Sequence, residues 1–597
     1  MKLPGIFKNV WITILAFKSV LFCCLYAVVL SIIPATIPGK VAKASYVLLL
    51  MTGLWVTEAI PIYITALIPL VFGPLLGIAP ASVISPSYTK DTNILFFGGL
   101  MVACAIENNY IHKRIAISIL KLVGSDPKML MLGFMLPSWF LSMWMSNTAT
   151  AAMMITIVDA LLTDFLKMEE EEDNAEYNYN NEFIQDTPKS LNRSLCHCRQ
   201  LIIQIDDNQQ ELPPITAEKN LKRTKRMNIG FSLSIAYACS IGGIATTIGT
   251  PANSILQGQV YNRYGPSTGL YFGTWMGYAF PLSVFMLLFT WFWLSFLFIG
   301  PKQCFTFKQS EKRKKLLARL LTEEQQKLGP IKYCEVLSAF FFVILTLLWM
   351  TRNLGSTGWG KWFIDPSNPK SATYITDSAA AILMTIIVMI TPAANPITLW
   401  KHWKHCYETK SEPNPEITRT LLPWNVAVQK FPWGVILVVG GGFALATIME
   451  SSGLTTAVGG YLGERLKYIP VTLLNIVCTF TTAAMTEFAS NSATASIILP
   501  IVYGLCEELG IHPFLIAFPT TVATSFSFAL PAATPPNTIV FAKGRVRVKH
   551  MIMAGIPMNI VGCFAAIGAV SSYTVPLFGL NTVPSWVNDV KNKTTIK

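Results

Sequence analysis

The stretch LSMWMSNTATAAMM, residues 141–154, places the polar run Ser146-Asn147-Thr148 inside an otherwise apolar segment. Three similar runs follow along the chain: Gly249-Thr250-Pro251-Ala252-Asn253, Ser490-Asn491-Ser492 and Ala533-Thr534-Pro535-Pro536-Asn537. A helix that breaks inside a membrane exposes backbone groups that need partners, so such breaks occur where they line a cavity. Free carbonyls and hydroxyls suit a hard cation, and helix N-termini suit an anion. The four runs therefore predict a transporter with a midplane site for sodium and a small anion.

Long uncharged stretches indicate a membrane protein. Hydrophobic residues make up 52% of the 597 residues and charged residues only 13%. No Asp, Glu, Lys or Arg occurs in residues 264–301, 378–400, 468–486, 509–542 and 551–588. About 20 apolar residues span a bilayer, so each stretch holds one or two crossings. We therefore expect an all-α polytopic membrane protein with about eleven transmembrane helices. The apolar run 10–34 is long enough to be the first crossing rather than a cleaved signal peptide.

Charge and cysteine patterns exclude several other classes of protein. The net charge of +13 is carried by loops beside apolar segments, such as residues 219–226 and 312–319. The positive-inside rule places these loops in the cytoplasm, which makes them topology determinants rather than a nucleic-acid surface. The run Cys196-His197-Cys198 is too tightly spaced for zinc, so we expect no transition metal and no cofactor. None of the six histidines pairs with the four polar runs, which argues against an enzyme. A channel, which would lack strict sodium coupling, is the other alternative.

The chain contains an internal repeat. Residues 95–107 are LFFGGLMVACAIE and residues 438–450 are VVGGGFALATIME, so the two segments lie 343 residues apart. Asn147 and Asn491 match at an offset of 344, whereas Asn253 and Asn537 match at only 284. A polar insertion of about that difference, residues 166–226, lies between Asn147 and Asn253. Paired repeats with interrupted helices are the usual construction of secondary transporters.

Sidedness predicts that the two repeats are inverted. The first Ser-Asn run precedes the cytoplasmic loop 166–226, so its re-entrant hairpin enters the membrane from inside, and the second enters from outside. With a cytoplasmic N-terminus, an odd number of crossings leaves the C-terminus extracellular. The sequon Asn592-Lys593-Thr594 should then be glycosylated, and the sequon at Asn192 should not.

These patterns divide the chain into five parts. They are residues 1–80, a scaffold of membrane helices; 81–256, the first repeat with its loop 166–226; 257–430, connecting helices with an amphipathic cytoplasmic segment 302–332; 431–545, the second repeat; and 546–597, the last membrane helix with the extracellular C-terminus.

Each repeat offers a set of oxygen ligands for one sodium ion. Ser142 and Ser146 are one helical turn apart, Asn147 adds an amide oxygen, and Gly249 permits close approach of a backbone carbonyl. The second repeat supplies the corresponding set: Thr486, Ala489, Asn491 and Ala533. Oxygens without clustered carboxylates suit a monovalent ion rather than calcium. The repeat therefore predicts two related sodium sites.

An anion fits between the two sodium sites. Ser146, Asn147 and Thr148 face Ser490, Asn491 and Ser492 at the hairpin tips, where the half-helices that follow direct N–H groups. No intramembrane Lys or Arg lies beside these runs, so sodium and helix dipoles supply the positive potential and coupling is obligatory. The alternative is that these side chains only tie helices together through interhelical hydrogen bonds.

The chain resembles the sodium-coupled divalent-anion symporters, which include sodium/dicarboxylate, sodium/citrate and sodium/sulfate cotransporters. The segments that carry the resemblance include WVTEAIPIYITALIP (55–69), KDTNILFFGGLMVACAIE (90–107), LSMWMSNTATAAMM (141–154), SIGGIATTIGTPAN (240–253), TEFASNSAT (486–494) and ATPPNTIVFAKG (533–544). The resemblance implies a homodimer in the membrane lipid and an elevator-type movement of a transport domain against a scaffold. It assigns the sodium ligands named above, and it adds Pro535 to the substrate contacts. We also expect the protein to reside in the plasma membrane.

The resemblance also ranks the substrates. The form SNTAT at residues 146–150 is similar to that of carboxylate carriers, whereas sulfate carriers tend to have SNTST. We therefore expect a succinate-type dicarboxylate first, then citrate, with sulfate as the alternative.

Overall fold

The computed structural model describes residues 17–123, 126–159, 215–300, 311–353, 357–365, 367–368 and 374–587. Most of the predicted loop 166–226, the Cys196-His197-Cys198 run, residues 302–310 and the sequon residues Asn192 and Asn592 lie outside these ranges. Within the described ranges the regular structure is almost entirely helical, and an isolated antiparallel β-bridge joins Pro392 to Thr420. The predicted all-α class is confirmed.

The α-helices are numbered here in chain order. Helices α1 to α6 are Lys18–Leu30, Ile32–Thr36, Lys40–Thr57, Ile62–Thr65, Ile68–Leu75 and Ala81–Ile84. Helices α7 to α12 are Asp91–Asn108, Ile111–Val123, Pro127–Ser142, residues 147–159, Ile215–Ile244 and Pro251–Tyr264. Helices α13 to α19 are Phe272–Leu294, Glu311–Leu328, Tyr333–Thr351, Asp377–Ile390, Pro396–Thr409, Pro415–Thr418 and Trp424–Lys430. Helices α20 to α27 are Trp433–Ser452, Leu454–Leu466, Val471–Thr486, Asn491–Leu509, Phe514–Ala523, Pro535–Ala542, Val548–Ser571 and Thr574–Phe578.

Helix boundaries recur at the spacings of the sequence repeat. Both ends of α21 lie 343 residues after the ends of α8, and both ends of α22 lie 344 residues after those of α9. Helices α12 and α25 both begin at a proline, Pro251 and Pro535, which are 284 residues apart. The two halves of the chain therefore share one order of helices and one set of breaks.

Seven helical segments are long and apolar enough to cross a membrane. They are Lys18–Thr36, Lys225–Ile244, Phe272–Ile299, Tyr333–Thr351, Trp433–Ser452, Asn491–Leu509 and Val548–Ser571. Segment Ala81–Asn108 and helix α8 make an eighth if counted as one span bent by 67°, and four shorter apolar segments accompany them. The described part of the chain is thus a polytopic membrane protein with broken helices.

Helix α11 runs through the centre of the protein. It begins at Ile215, inside the range predicted as loop, and 94% of its apolar window from Lys225 to Ile244 is buried. Aromatic side chains such as Phe231 and Tyr237 are completely buried there. The backbone that unwinds after the end of this helix is shielded from lipid by the surrounding protein. The second polar run begins in that segment, at Gly249.

The predicted amphipathic segment 302–332 is helical where it is described, as α14. Leu321 on this helix is buried against the core, whereas Arg319 is exposed. Arg114 of α8 donates hydrogen bonds to the carbonyls of Leu328, Gly329 and Pro330, 2.9–3.2 Å away, at the end of α14. The end of α14 is therefore fastened to the start of α8 by hydrogen bonds from the Arg114 side chain to backbone carbonyls.

Candidate functional site

The N-terminal ends of α10, α12, α23 and α25 meet at one cavity of about 190 Å³. Nine predicted site residues line it: Ser146, Asn147, Thr148, Gly249, Ser490, Asn491, Ser492, Ala533 and Pro535. The first backbone N–H groups of a helix have no partner within the helix, so four N-termini present donors and positive potential to one space. All four polar runs of the sequence thus contribute to one site.

In the first repeat, Ser142 lies behind the cavity rather than on its wall. Its hydroxyl donates a hydrogen bond to Oδ1 of Asn147, which does line the cavity. Nearby, the Thr246 hydroxyl donates to the carbonyl of Met143 at 2.5 Å and joins the hairpin to the unwound segment after α11. The hairpin and the break therefore hold each other in place.

The second repeat reproduces this arrangement with different residues. The Thr486 hydroxyl lies 3.0 Å from Oδ1 of Asn491 and 2.6 Å from the carbonyl of Thr524, in the unwound segment after α24. Ala489 is also behind the wall, and its N–H donates to the Met485 carbonyl at 3.0 Å. Ser142 and Thr486 thus occupy equivalent positions, each supporting the asparagine that faces the cavity.

Asn253 and Asn537, to which the sequence patterns assigned no binding role, organise the unwound segments. The side-chain nitrogen of Asn253 donates to the carbonyls of Gly243, Ile244 and Thr246 at 2.7–3.2 Å. These donations occupy carbonyls that the break in the helix would otherwise leave without partners.

Asn537 does the same in the second repeat. Its side-chain nitrogen donates to the carbonyls of Ser527 and Leu530 at 2.8 and 3.0 Å. The position of each asparagine, two residues after the proline that starts a half-helix, was the sequence signal for this role.

Close backbone packing explains two glycines beside the first hairpin. A Cβ atom on Gly243 would lie 2.8 Å from Nδ2 of Asn147, and one on Gly249 would lie 2.5 Å from the Gly243 carbonyl oxygen. Side chains at these positions would displace the asparagine or the turn. Gly249 therefore supplies the close approach that its sequence context predicted.

An apolar wall completes the lining of the cavity, and no pattern in the sequence indicated it. It consists of Phe96 and Leu100 of α7, Pro432 and Val435 at the start of α20, and Ile62. Ile62 comes from the predicted scaffold and the other four residues come from the two repeats, and all five are apolar residues among many others. A small cavity with one apolar wall and converging polar groups is typical of small-molecule sites.

Charged residues support the site from behind its lining. Among the described residues that line the cavity none is charged. Glu487, next to Thr486, accepts hydrogen bonds from the N–H groups of Ala529 and Leu530 at 2.9 and 3.0 Å and from Nδ2 of Asn559 at 2.6 Å. Glu487 thereby anchors the unwound segment next to Thr486. The cavity itself offers donors, hydroxyls and amides to an incoming ion.

One hydroxyl on the wall was missed by the sequence assignments. Thr534 lines the cavity directly before α25, and within the described part of the chain its buried Oγ1 has no hydrogen-bond partner. An unpaired hydroxyl in such a place is available to a ligand.

Comparisons with known proteins give a consistent result. The family model of the sodium:sulfate symporter transmembrane region matches residues 13–580. Solute carrier family 13 member 2 of Homo sapiens is 38% identical over 598 residues, with 96% of each chain covered. The Na(+)/dicarboxylate cotransporter 3 of Rattus norvegicus is 36% identical over 602 residues, covering 98% of this chain and 96% of the relative. The Na(+)/citrate cotransporter of Mus musculus is 35% identical over 574 residues, covering 94% and 95%.

A solved structure shares the fold at low sequence identity. The structure of MtrF from Neisseria gonorrhoeae, described as illuminating a class of antimetabolite efflux pumps, superposes with a TM-score of 0.50 and 11% identity. The alignment covers 92% of this chain and 97% of MtrF. At this identity the likeness concerns the fold alone.

Proposed function

Because this chain belongs to the sodium:sulfate symporter family, we propose that it is a sodium-coupled symporter that imports dicarboxylates of the succinate type, with citrate as a second candidate substrate. It is an integral multi-pass membrane protein of a cotransporter family and not an enzyme. The observation that carries the proposal is the meeting of four helix N-termini and two supported asparagines at one uncharged cavity.

The sodium ions are proposed to bind behind the two asparagines. On the first side the ligands are Ser142, Ser146, Asn147 and Gly249, and on the second side they are Thr486, Ala489, Asn491 and Ala533. Each asparagine Oδ1 already has a hydroxyl oxygen beside it, from Ser142 or Thr486, which brings two neutral oxygens together. Neutral oxygen ligands suit a monovalent hard cation. Sodium is here a transported ion, not a resident cofactor.

The anion is proposed to bind between the two Ser-Asn turns. Its contacts are Ser146, Asn147 and Thr148 on one tip, Ser490, Asn491 and Ser492 on the other, and Pro535, to which we add the unpaired Thr534 hydroxyl. An asparagine whose Oδ1 accepts a hydrogen bond from a hydroxyl, or coordinates sodium, keeps its side-chain N–H₂ as a donor for the anion. Since no Lys or Arg is among the described residues that line the cavity, the anion depends on sodium and helix N-termini for charge compensation.

Donor groups on two opposite tips favour an anion that carries charge at both ends. A dicarboxylate meets this condition, and relatives of this chain are named for dicarboxylate and for citrate. The alternative substrate is sulfate, which the name of the family model includes. Homodimer formation, elevator movement, plasma-membrane residence and the orientation of the termini remain parts of the proposal that follow from the resemblance to the family.

Uptake into proteoliposomes tests the proposal. Radiolabelled succinate, citrate and sulfate are offered separately under an inward sodium gradient, and choline replaces sodium in the control. We expect saturable, sodium-dependent uptake that is strongest for succinate and is inhibited by unlabelled succinate. Uptake that does not saturate or does not require sodium would favour a channel, and stronger uptake of sulfate would favour the alternative substrate.

A further inference from the structure

Each of the four helices that begin at the cavity carries, or is directly followed by, a charged residue of one of two ion-paired clusters. On one side, the guanidinium of Arg263, near the end of α12, binds Glu507, in the last turn of α23. Nε and Nη2 of Arg263 lie 2.6 and 2.7 Å from the two carboxylate oxygens, and the Tyr264 hydroxyl donates to the same carboxylate at 2.6 Å. The two charged side chains are only 7% and 13% exposed.

On the other side, two cations just after α25 bind Asp159 of α10. Nζ of Lys543 lies 2.8 Å from Oδ2 of Asp159, and Arg545 also donates to Asp159. Asp159 is the last residue of α10 that the structure describes, and its side chain is 25% exposed. This second cluster is more accessible to solvent than the first.

Each cluster joins helices of different repeats. Helix α12 follows the Pro-Asn break of the first repeat and α23 follows the Ser-Asn turn of the second, whereas α25 and α10 reverse these origins. The charged residues of the two clusters do not occupy matching positions of the sequence repeat. Asp159 and Lys543 are each shifted by about one helical turn from the position that matches their counterpart in the other half. The same cross-connection is therefore made twice from different positions.

Glu507 lies where its own helix does not favour a negative charge, whereas Arg263, in the last turn of α12, lies where a helix favours a positive one. A carboxylate near the C-terminal end of a helix meets the negative end of the helix dipole, so Glu507 on α23 is stable there only with a cation beside it. Arg263 supplies that cation with both carboxylate oxygens engaged, the geometry that fixes direction as well as charge.

We propose that the Arg263–Glu507 pair and the Asp159–Lys543–Arg545 cluster are cross-repeat braces that position the four helix N-termini around the substrate. This inference rests on the proposed function and assigns positioning residues to the same site. Arg263 follows Pro251 by twelve residues, which corresponds to about 18 Å along α12. A helix of that length that tilts by a few degrees moves its cavity end by about 1 Å, enough to misplace a ligand group that needs sub-ångström placement.

The more accessible brace gives the cleaner test, because breaking the buried pair leaves an uncompensated charge that can prevent folding. We expect Asp159→Asn to raise the half-saturating concentrations of both sodium and substrate about fivefold, with little change in maximal rate per transporter at the membrane. Asp159→Glu, which keeps the charge, should recover most of the wild-type affinity. The amount of protein in the membrane is measured by surface labelling and used to normalise every rate.

The buried brace is tested by a graded pair of variants on the partners of Arg263. Glu507 makes two bonds to Arg263, whereas Glu450 of α20 makes a single bond of 3.0 Å and is 30% exposed. Glu507→Gln should therefore weaken substrate and sodium affinity more than Glu450→Gln. Glu323→Gln is the control, since the Arg319–Glu323 pair is exposed and both of its members belong to the one helix α14, so it joins no two helices.

The outcomes separate this inference from the proposed function. Absence of sodium-dependent uptake in the wild type would refute the proposed function and this inference with it. Wild-type uptake together with unchanged half-saturating concentrations in both Asp159→Asn and Glu507→Gln would leave the function standing and overturn the braces. If the variants only lower surface amount, with affinities equal to those of Glu323→Gln, the clusters are structural and the proposal is wrong.

Discussion

Replacement of Thr486 by valine is the sharpest single test of the second proposed sodium site. Valine has nearly the same shape as threonine, and Thr486 is completely buried, so the change removes a hydroxyl without leaving a large cavity. The lost hydroxyl holds Asn491 at 3.0 Å and the carbonyl of Thr524 at 2.6 Å. It is also one of the oxygens that we assign to sodium.

The expected size of the effect follows from those two contacts. The single hydroxyl proton of Thr486 is shared between these two acceptors, and leaving the buried carbonyl of Thr524 short of a partner costs about 1–3 kcal/mol, so we take the loss as about 2 kcal/mol. Since 1.4 kcal/mol is a factor of ten, the half-saturating sodium concentration should rise roughly 30-fold if the whole loss falls on the sodium-bound state. At saturating sodium, the substrate affinity should change much less.

Sodium-activation curves of uptake, normalised to surface protein, measure this shift. Thr521→Val is the matched control, because Thr521 is equally buried but its hydroxyl only bonds back to the Ala517 carbonyl of its own helix, α24, at 2.7 Å. We expect the control to keep the wild-type sodium dependence. If Thr486→Val reaches the membrane and its half-saturating sodium concentration stays within about twofold of wild type, the assignment of Thr486 to a sodium site is refuted.

Four further outcomes are expected. Asn147→Ala should lower affinity for sodium and anion together, since one amide serves both, and normal sodium-dependent uptake by surface-expressed variant would exclude that role. Gly243→Ala should impair uptake because its Cβ would press on the Asn147 amide at 2.8 Å, as sodium-activation curves will show; an unaffected variant would mean that the amide can move freely. Asn592→Gln should remove the mobility shift that glycosidase produces, whereas a shift that persists, for example from Asn192, would contradict the predicted topology. Unlabelled succinate should compete for uptake far better than sulfate, and Ser492→Pro should lower carboxylate uptake; competition by sulfate at lower concentration would overturn the carboxylate assignment.

The sequence by itself determined the membrane class, the repeat and the polar core of the site. Proline, glycine and asparagine within apolar segments break helices locally, so Pro251 and Pro535 mark the starts of half-helices without any knowledge of tertiary contacts. The two Ser-Asn runs likewise identified Asn147 and Asn491 as related positions from local sequence alone, and the structure brings both to one cavity.

Only the tertiary structure decided which residues complete that site. Phe96 and Val435 form its apolar wall, but in a chain rich in apolar residues nothing distinguishes a side chain that faces a ligand from one that faces lipid or another helix. Arg263 and Glu507 are 244 residues apart, and their pairing depends on how two repeats are folded against each other. Helix breaks are encoded by neighbouring residues. The walls and braces of a cavity depend on long-range packing, which local sequence patterns do not reveal.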